Sequence, residues 1–364
     1  MSRAPKAARR RGEVKRVNLA LQGGGAHGAY AWGVLDAFND DPRIQIEAIS
    51  GSSAGAMNAV VFACGLDEGG RPRAKEKLEQ FWLSVSSEGS LAPTQRKIVD
   101  AWLDAAGCTT NPVAEWFNAC ARAMADFVSP YTFNPFNLNP LREHLANAVD
   151  FDRINADGAV KLFIAATNVR TGRGEIFRNP MLTVDHIMAS ACLPQIFQAV
   201  EIDGDAYWDG GYAGNPPLWP LFYETDCDDI VIVQINPIER PHVPHLPDEI
   251  ADRVNEVTFN ASLLAELRAA DFVARLITSG VLQSPDYRLE RLHRIGGAGR
   301  LARFSAASKF DVSWPFLREL HALGRTDAEA WLRAHFDAIG VEGTLDIDEA
   351  LKRPPPKDIA SEAR

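Results

Sequence analysis

The stretch Ile49-Ser50-Gly51-Ser52-Ser53-Ala54-Gly55-Ala56-Met57-Asn58 constrains this chain more than any other. It contains Gly-x-Ser-x-Gly. On its N-terminal side Ile44 to Ile49 alternates apolar and polar residues at strand spacing, and on its C-terminal side Ala54 to Cys64 is Ala-rich and apolar in the manner of a buried helix. Ser53 therefore falls on a sharp strand-to-helix turn, with Gly51 and Gly55 clearing space on either side. A serine so placed presents its hydroxyl at a strand tip, and the helix behind it points its first amides at negative charge developing nearby. A lone Gly-x-Ser-x-Gly also occurs as a plain small-residue turn, so the rest of the chain decides.

Upstream, Arg16 to Leu21 reads as a strand, Gln22-Gly23-Gly24-Gly25-Ala26-His27-Gly28 as a glycine loop, and Ala29 to Phe38 as a helix. Gly23, Gly25 and Gly28 satisfy Gly-x-Gly-x-x-Gly, the pattern of a dinucleotide-binding turn. That reading needs an acid at the tip of the second strand to hold a ribose. Here the second strand runs straight into Gly51-Ser52-Ser53 and Glu47 lies inside it, which disfavours a nucleotide. A glycine loop can equally offer backbone N–H groups to an oxyanion, and a serine turn on the next strand is the partner such a hole requires.

A serine hydroxyl is a weak nucleophile at neutral pH and needs a base within reach. In the order Ser, acid, His, Asp209 can be followed by His242 or His245. Both histidines stand in Pro241-His242-Val243-Pro244-His245, a connector in which a histidine is ordinarily surface. Asp209 lies between the apolar Ala206-Tyr207-Trp208 and Gly210-Gly211, an arrangement that puts a carboxylate at a strand end with close backbone access. Such a carboxylate acts as base alone where partial burial raises its pKa.

Strands and helices interleave along the chain. Lys161 to Asn168 reads as a buried strand that turns into Glu175 to Phe177 as a hairpin, Val184 to Cys192 as a helix, Ile230 to Ile235 as a further apolar strand, and Val257 to Leu282 as a long helix. This predicts an α/β fold with a central, mostly parallel sheet. Residues 1–15 are expected to be a basic disordered tail and 16–340 the α/β domain. Within it fall a helical insertion at about 86–140 and a C-terminal helical extension at about 250–340. Residues 65–93 mix charge with Gly, Pro and Ser, although Ala74 to Val85 keeps helical spacing. Ser129 to Phe136 is expected not to be helical on account of its prolines, and residues 341–364 to be a tail.

Charge and cysteine usage narrow the partners. Residues 1–16 carry seven basic side chains against one acid, yet the whole chain has a net charge of −10. A body this acidic repels phosphates, so no nucleic acid is expected. The tail is expected to be a solubilising arm or to touch anionic lipid. No run of 18 apolar residues and no signal-like apolar region occurs, which predicts a cytoplasmic protein with membrane contact at most peripheral. The five cysteines, Cys64, Cys108, Cys120, Cys192 and Cys227, show no Cys-x-x-Cys spacing, so neither metal nor disulfide framework is expected.

Taken together, Gly23-Gly24-Gly25-Ala26-His27-Gly28, Gly51-Ser52-Ser53-Ala54-Gly55 and Asp209-Gly210-Gly211, in this order, resemble the patatin-like phospholipase family. Ala189 to Phe197 looks like the segment that leads to that family's catalytic aspartate, and Asn215-Pro216 matches its asparagine-proline. The likeness spans about residues 16–236. It implies a three-layer patatin-like fold with a nucleophile elbow, and a Ser–Asp dyad without histidine in which Ser53 is the nucleophile and Asp209 the general base. It further implies an oxyanion hole at Gly23, Gly24 and Gly25, supported by His27, Gly28, Gly51, Gly55, Gly210 and Gly211, and no cofactor or metal. One departure stands out: the family usually has Arg or Lys where this chain has His27. Its ring either carries a pH-dependent charge, titrating near ~6.5, or is structural.

The function this resemblance implies is that of a lipid acyl hydrolase, of phospholipase A or lysophospholipase type, with a lipid or other acyl ester as substrate. A thioesterase or short-chain esterase with the same dyad is the alternative among enzymes. A catalytically silent lipid-binding protein of the same fold is the alternative outside them, disfavoured by the intact Ser53, Asp209 and glycine loop.

Overall fold

The computed structural model describes residues 14–86, 129–240, 242–296 and 300–351. Nearly all of the expected basic tail, and residues 87–128 of the expected insertion, lie outside them. Eight strands form one sheet: β1 (Lys15–Leu21), β2 (Ile44–Gly51), β3 (Lys161–Asn168), β4 (Gly174–Arg178), β5 (Val200–Ile202), β6 (Asp205–Asp209), β7 (Asp229–Gln234) and β8 (Arg291–Gly296). Their order is β5-β6-β3-β2-β1-β7-β8, with β4 also paired to β3. The five strands from β3 to β8 run parallel, and β4, β5 and β6 add antiparallel pairs. The mixed, mostly parallel α/β fold read from the sequence is the one found.

Alternation along the strands sorts side chains to two faces and so makes three layers. Val17, Leu19 and Leu21 of β1 point into the larger core, which also takes Tyr30, Trp32, Leu35 and Phe38 of α1 (Gly28–Asp40). Ala20, Ile230 and Ile232 point the other way, onto Leu263 and Leu267 of a long helix. Against α1 packs a C-terminal helix, Trp314–His335. They touch backbone to backbone: a Cβ on Gly33 would lie 2.0 Å from the His321 carbonyl oxygen, and one on Gly324 2.0 Å from that of Tyr30.

Several boundaries differ from expectation for identifiable reasons. The apolar and charged helices expected after Ser53 are one element, α2 (Ala54–Val85), kinked at Gly69 and Gly70 just before Pro72. Arg71, inside the kink, donates to the Asn39 and Asp41 carbonyls at 2.6 and 2.9 Å and so ties it to the end of α1. Residues Pro130–Phe133 form a short helix, contrary to the reading of that stretch. The proline sits at its start, where a missing N–H costs nothing, and the Ser129 hydroxyl caps it. Beyond it lie α3 (Pro140–Ala148) and α4 (Val184–Ser190), the latter where a helix was expected. The long helix, α5 (Pro247–Thr278), starts ten residues early, because Glu249 accepts from the amides of His245 and Leu246 at 3.2 and 3.3 Å.

The C-terminal extension is not purely helical. Before the final long helix, α6 (Trp314–His335), it supplies β8, an edge strand whose charged spelling hid it. Arg291 and His293 of β8 both bond Asp229 of β7, at 2.8 and 3.1 Å. Nor is the start of the expected tail free. The Thr344 and Leu345 amides donate to the Leu292 carbonyl at 3.0 and 2.9 Å, and Leu345, Ile347 and Leu351 pack on the second core.

Candidate active site

Ser53 stands where β2 meets α2, with φ 53° and ψ −125°, a left-handed backbone that a non-glycine residue adopts only under constraint. The constraint is visible. The Ser53 N–H donates to the carbonyl and hydroxyl oxygens of Ser190, at the end of α4, at 3.1 and 3.0 Å. The Ser52 hydroxyl donates to the Gly214 carbonyl. Around the turn the backbones touch: a Cβ on Gly55 would stand 2.2 Å from the Leu21 carbonyl oxygen and one on Gly51 2.7 Å from Gly55. Gly28 has the same constraint, with 2.6 Å to the Ala54 Cβ. These three glycines serve packing of the elbow against β1 and α1.

Asp209 ends β6, is completely buried, and is fixed by its backbone: its N–H donates to the Cys192 carbonyl at 2.7 Å, and the Thr167 hydroxyl donates to its carbonyl at 2.8 Å. Its Oδ1 accepts from the Gly211 N–H at 2.7 Å. Its Oδ2 has no hydrogen-bond partner among the described residues. Burial raises the Asp209 pKa to about 7, against the lowering effects of the Gly211 N–H, the Ser53 hydroxyl and the Lys309 charge. Ser53 is thus near enough to influence the carboxylate, yet no hydrogen bond within 3.5 Å closes between them. Behind Asp209 the glycines again make room: a Cβ on Gly210 would lie 2.1 Å from the Ala165 carbonyl oxygen and one on Gly211 2.3 Å from the Phe259 ring.

The glycine loop lies on the other side of Ser53. Gly23 does not have a free amide: its N–H donates to Asn215 Oδ1 at 2.6 Å, while its carbonyl accepts from Asn236 Nδ2 at 2.8 Å. Its expected place among the oxyanion donors is therefore corrected; Gly23 anchors the loop. The N–H groups of Gly24 and Gly25 make no hydrogen bond among the described residues, and neither does that of Ala54, the first residue of α2. All three residues line the same cavity as Ser53 and Asp209. The cavity measures about 980 Å³, and its walls are mostly apolar, with Met57, Trp82, Leu141, Ile196, Phe197 and Phe310 among them.

His27 points away from this chemistry. Its ring is buried beside Phe304 and Phe316, and its Nε2 lies 2.7 Å from the Ser308 hydroxyl, which itself donates to the Ser305 carbonyl at 2.6 Å. The hydroxyl hydrogen being engaged, Nε2 carries the proton and donates. Burial, then the Lys309 and Arg240 charges, push the His27 pKa down to about 3. A neutral ring at every working pH predicts that His27→Gln keeps the wild-type pH–activity profile. A limb falling near ~6.5 that this substitution removes would restore the charged reading. His242 and His245 are exposed, and neither lines the cavity.

Three polar residues beside the site were not singled out from the sequence. Gln22 gathers the loop and the end of β7 through Oε1, which accepts from the Ile235 and Asn236 amides at 2.9 and 2.8 Å. Asn236 holds Gly23, and Lys309 lines the cavity from the C-terminal part of the chain. None carries a local motif; the pairing of β1 with β7 brings Gln22 and Asn236 together.

Comparison with known proteins bears on the family. The chain is 24% identical over 225 residues to a lysophospholipase NTE1 of Cryptococcus neoformans, covering 62% of this chain and 11% of that one. It is 29% identical over 275 residues to an uncharacterised NTE family protein of Mycobacterium tuberculosis, covering 73% of this chain and 62% of that one. The chain thus spans about a tenth of the first relative and under two thirds of the second. Among solved structures it is similar to VipD from Legionella pneumophila, at a TM-score of 0.37 and 17% identity over 85% of this chain and 67% of that one. ExoU of Pseudomonas aeruginosa, solved with SpcU, matches at 0.28 and 15% over 93% and 76%. The family model for patatin-like phospholipases matches residues 19–222, more than half of the sequence, and the chain belongs to that family.

Proposed function

We propose that this protein is a lipid acyl hydrolase, of phospholipase A or lysophospholipase type, working through a Ser53–Asp209 dyad and an acyl-enzyme. The observation that carries the reading is the unpartnered, buried Oδ2 of Asp209 beside a serine held in a strained turn. A buried carboxylate oxygen without a hydrogen bond is costly, and an O–H that loses its proton in a transition state is the partner that removes the cost. Ser53 Oγ attacks the ester carbonyl, and its proton passes to Asp209. The carbonyl oxygen, now negative, is received by the N–H groups of Gly24, Gly25 and Ala54. Asp209 returns the proton to the departing alcohol, and water, deprotonated by the same carboxylate, releases the acid.

The size and mostly apolar walls of the cavity support a long acyl chain as the part of the substrate recognised. Among the described residues no helix is long and apolar enough to cross a membrane; a lipid substrate then reaches Ser53 from a surface or as a monomer. The test is labelling with a fluorophosphonate followed by a lipid panel. Labelling at Ser53, with turnover that His242→Ala and His245→Ala each leave largely intact, is the expected result. If either histidine substitution costs as much as loss of Asp209, a three-residue relay is the better account.

A further inference from the structure

Lys309 reaches the site from the turn Ala306–Phe310, a hundred residues beyond Asp209 and outside the segment that matches the family. Its Nζ donates to Asn236 Oδ1 at 2.9 Å and to Asn255 Oδ1 at 2.8 Å. Both acceptors are neutral amides, which fix the ammonium without cancelling its charge. Asn236 passes the contact on: its Nδ2 donates to the Gly23 carbonyl at 2.8 Å and its N–H to Gln22 Oε1 at 2.8 Å. A cation on one end of an amide polarises it and strengthens the bond at the other end. The lysine backbone also meets the loop directly, since a Cβ on Gly25, whose φ is +57°, would stand 2.4 Å from the Lys309 carbonyl oxygen. The side chain further lies 5.8 Å from the ring centre of Phe259, which covers Gly211.

We propose that Lys309 is the positioning cation of the glycine loop. It holds Gly23 through Asn236, its backbone packs closely against Gly25, and it sets a positive charge beside the space where Ser53, Asp209 and the oxyanion donors converge. The inference rests on the reading of Ser53 and Asp209 as a dyad. It also explains how the site can do without a charge at position 27, where the buried ring of His27 stays neutral.

The charges around Lys309 set its pH range. Burial lowers its pKa to about 8, with Glu256, Asp252 and Asp209 favouring the ammonium and Arg240 opposing it. Asp209, besides Lys309, is faced by the Ser53 hydroxyl, Cys192 and Tyr212. Activity of the wild type therefore rises as Asp209 ionises through about 7 and falls as Lys309 loses its proton through about 8.

The experiment compares kcat/KM for a soluble acyl ester against pH in the full-length wild type, Lys309→Met and Lys309→Arg. Lys309→Met is expected to lose at least about tenfold at the optimum, mostly in kcat, as when an oxyanion-stabilising group is removed. Its falling limb should vanish and its rising limb move to higher pH, because the charge that lowers the Asp209 pKa is gone. Lys309→Arg should restore the rising limb and leave no falling one. A Lys309→Met profile that superimposes on the wild type in shape, scaled or not, overturns the proposal. Should Lys309→Met fail to fold, Lys309→Gln, which can still donate to the asparagines, takes its place under the same criteria. Fluorophosphonate labelling of the wild type separates the two levels: a labelled Ser53 with an unmoved Lys309 profile sinks this inference alone, whereas an unlabelled, inactive wild type sinks the dyad and this inference with it.

Discussion

Replacing Ser53 by alanine is expected to reduce kcat for an acyl ester by a factor on the order of 10⁴ to 10⁶ while leaving the protein folded. The size follows from removing the attacking atom itself, since neither the oxyanion donors nor Asp209 can form the acyl-enzyme. The fold should survive because what holds the turn is backbone: the Ser53 N–H bonds to Ser190 and the glycine contacts, all of which alanine keeps. Stability should change by less than about 1 kcal/mol. Ser53→Gly makes the complementary point. It is equally inactive, but it relieves the positive φ and should melt higher than the wild type. A folded Ser53→Ala protein with substantial turnover would remove the mechanism, and circular dichroism with an ester assay on the same preparation decides it.

Asp209→Asn is expected to lower kcat by a factor on the order of 10³ or more, because an amide cannot take the serine proton. It should also stabilise the protein, by an amount that grows as pH rises from about 4 to about 7 and is complete above that. The folded-state pKa of Asp209, about 7, lies above its ordinary 3.8. The favourable contribution of the protonated form is therefore complete below the ordinary value and is lost as pH rises through about 7. Above that pH the wild type carries a buried carboxylate that the asparagine variant lacks, a difference on the order of 4 kcal/mol. The Gly211 N–H keeps its acceptor in the amide oxygen. Melting temperatures measured at pH 5 and pH 9 should show the variant gaining on the wild type at the higher pH. A gap that does not depend on pH would mean that Asp209 is not a neutral acid in the resting protein.

The two predictions concern the part of the molecule that the sequence made most legible. Ser53 and Asp209 sit in short runs of small residues whose spelling is dictated by backbone contact: Gly55 against Leu21, Gly210 against Ala165, Gly211 against Phe259. Steric exclusion of this kind leaves a local signature. The strands read well for a related reason, since β3 and β7 are buried on both faces and carry the continuous apolar runs Leu162 to Ala166 and Ile230 to Val233. What escaped was held together by side chains distant in sequence. β8 is an edge strand whose charges answer to Asp228 and Asp229, 62 residues or more before it. Gly23 looked like an oxyanion donor because nothing near it shows that Asn215, 192 residues later, takes its amide. His27 looked titratable because Ser308 and two phenylalanine rings are supplied by a segment nearly three hundred residues away.

The pairing of β1 with β7 bears on where this protein could be cut. β1 carries the glycine loop at its C-terminal end and lies in the middle of the sheet, between β2 and a strand that begins at Asp229. The segment matching the family stops at residue 222. A fragment ending there would keep every catalytic residue proposed for the dyad, yet it would turn the central strand into a bare edge and uncover the face of α1 that α6 occupies. Evolutionary recognisability and mechanical completeness thus have different borders in this chain. A piece expressed, swapped into another protein or crystallised with its site intact has to carry β7, β8 and α6 as well, and a library confined to the recognisable motifs would be mutating a machine whose frame lies elsewhere.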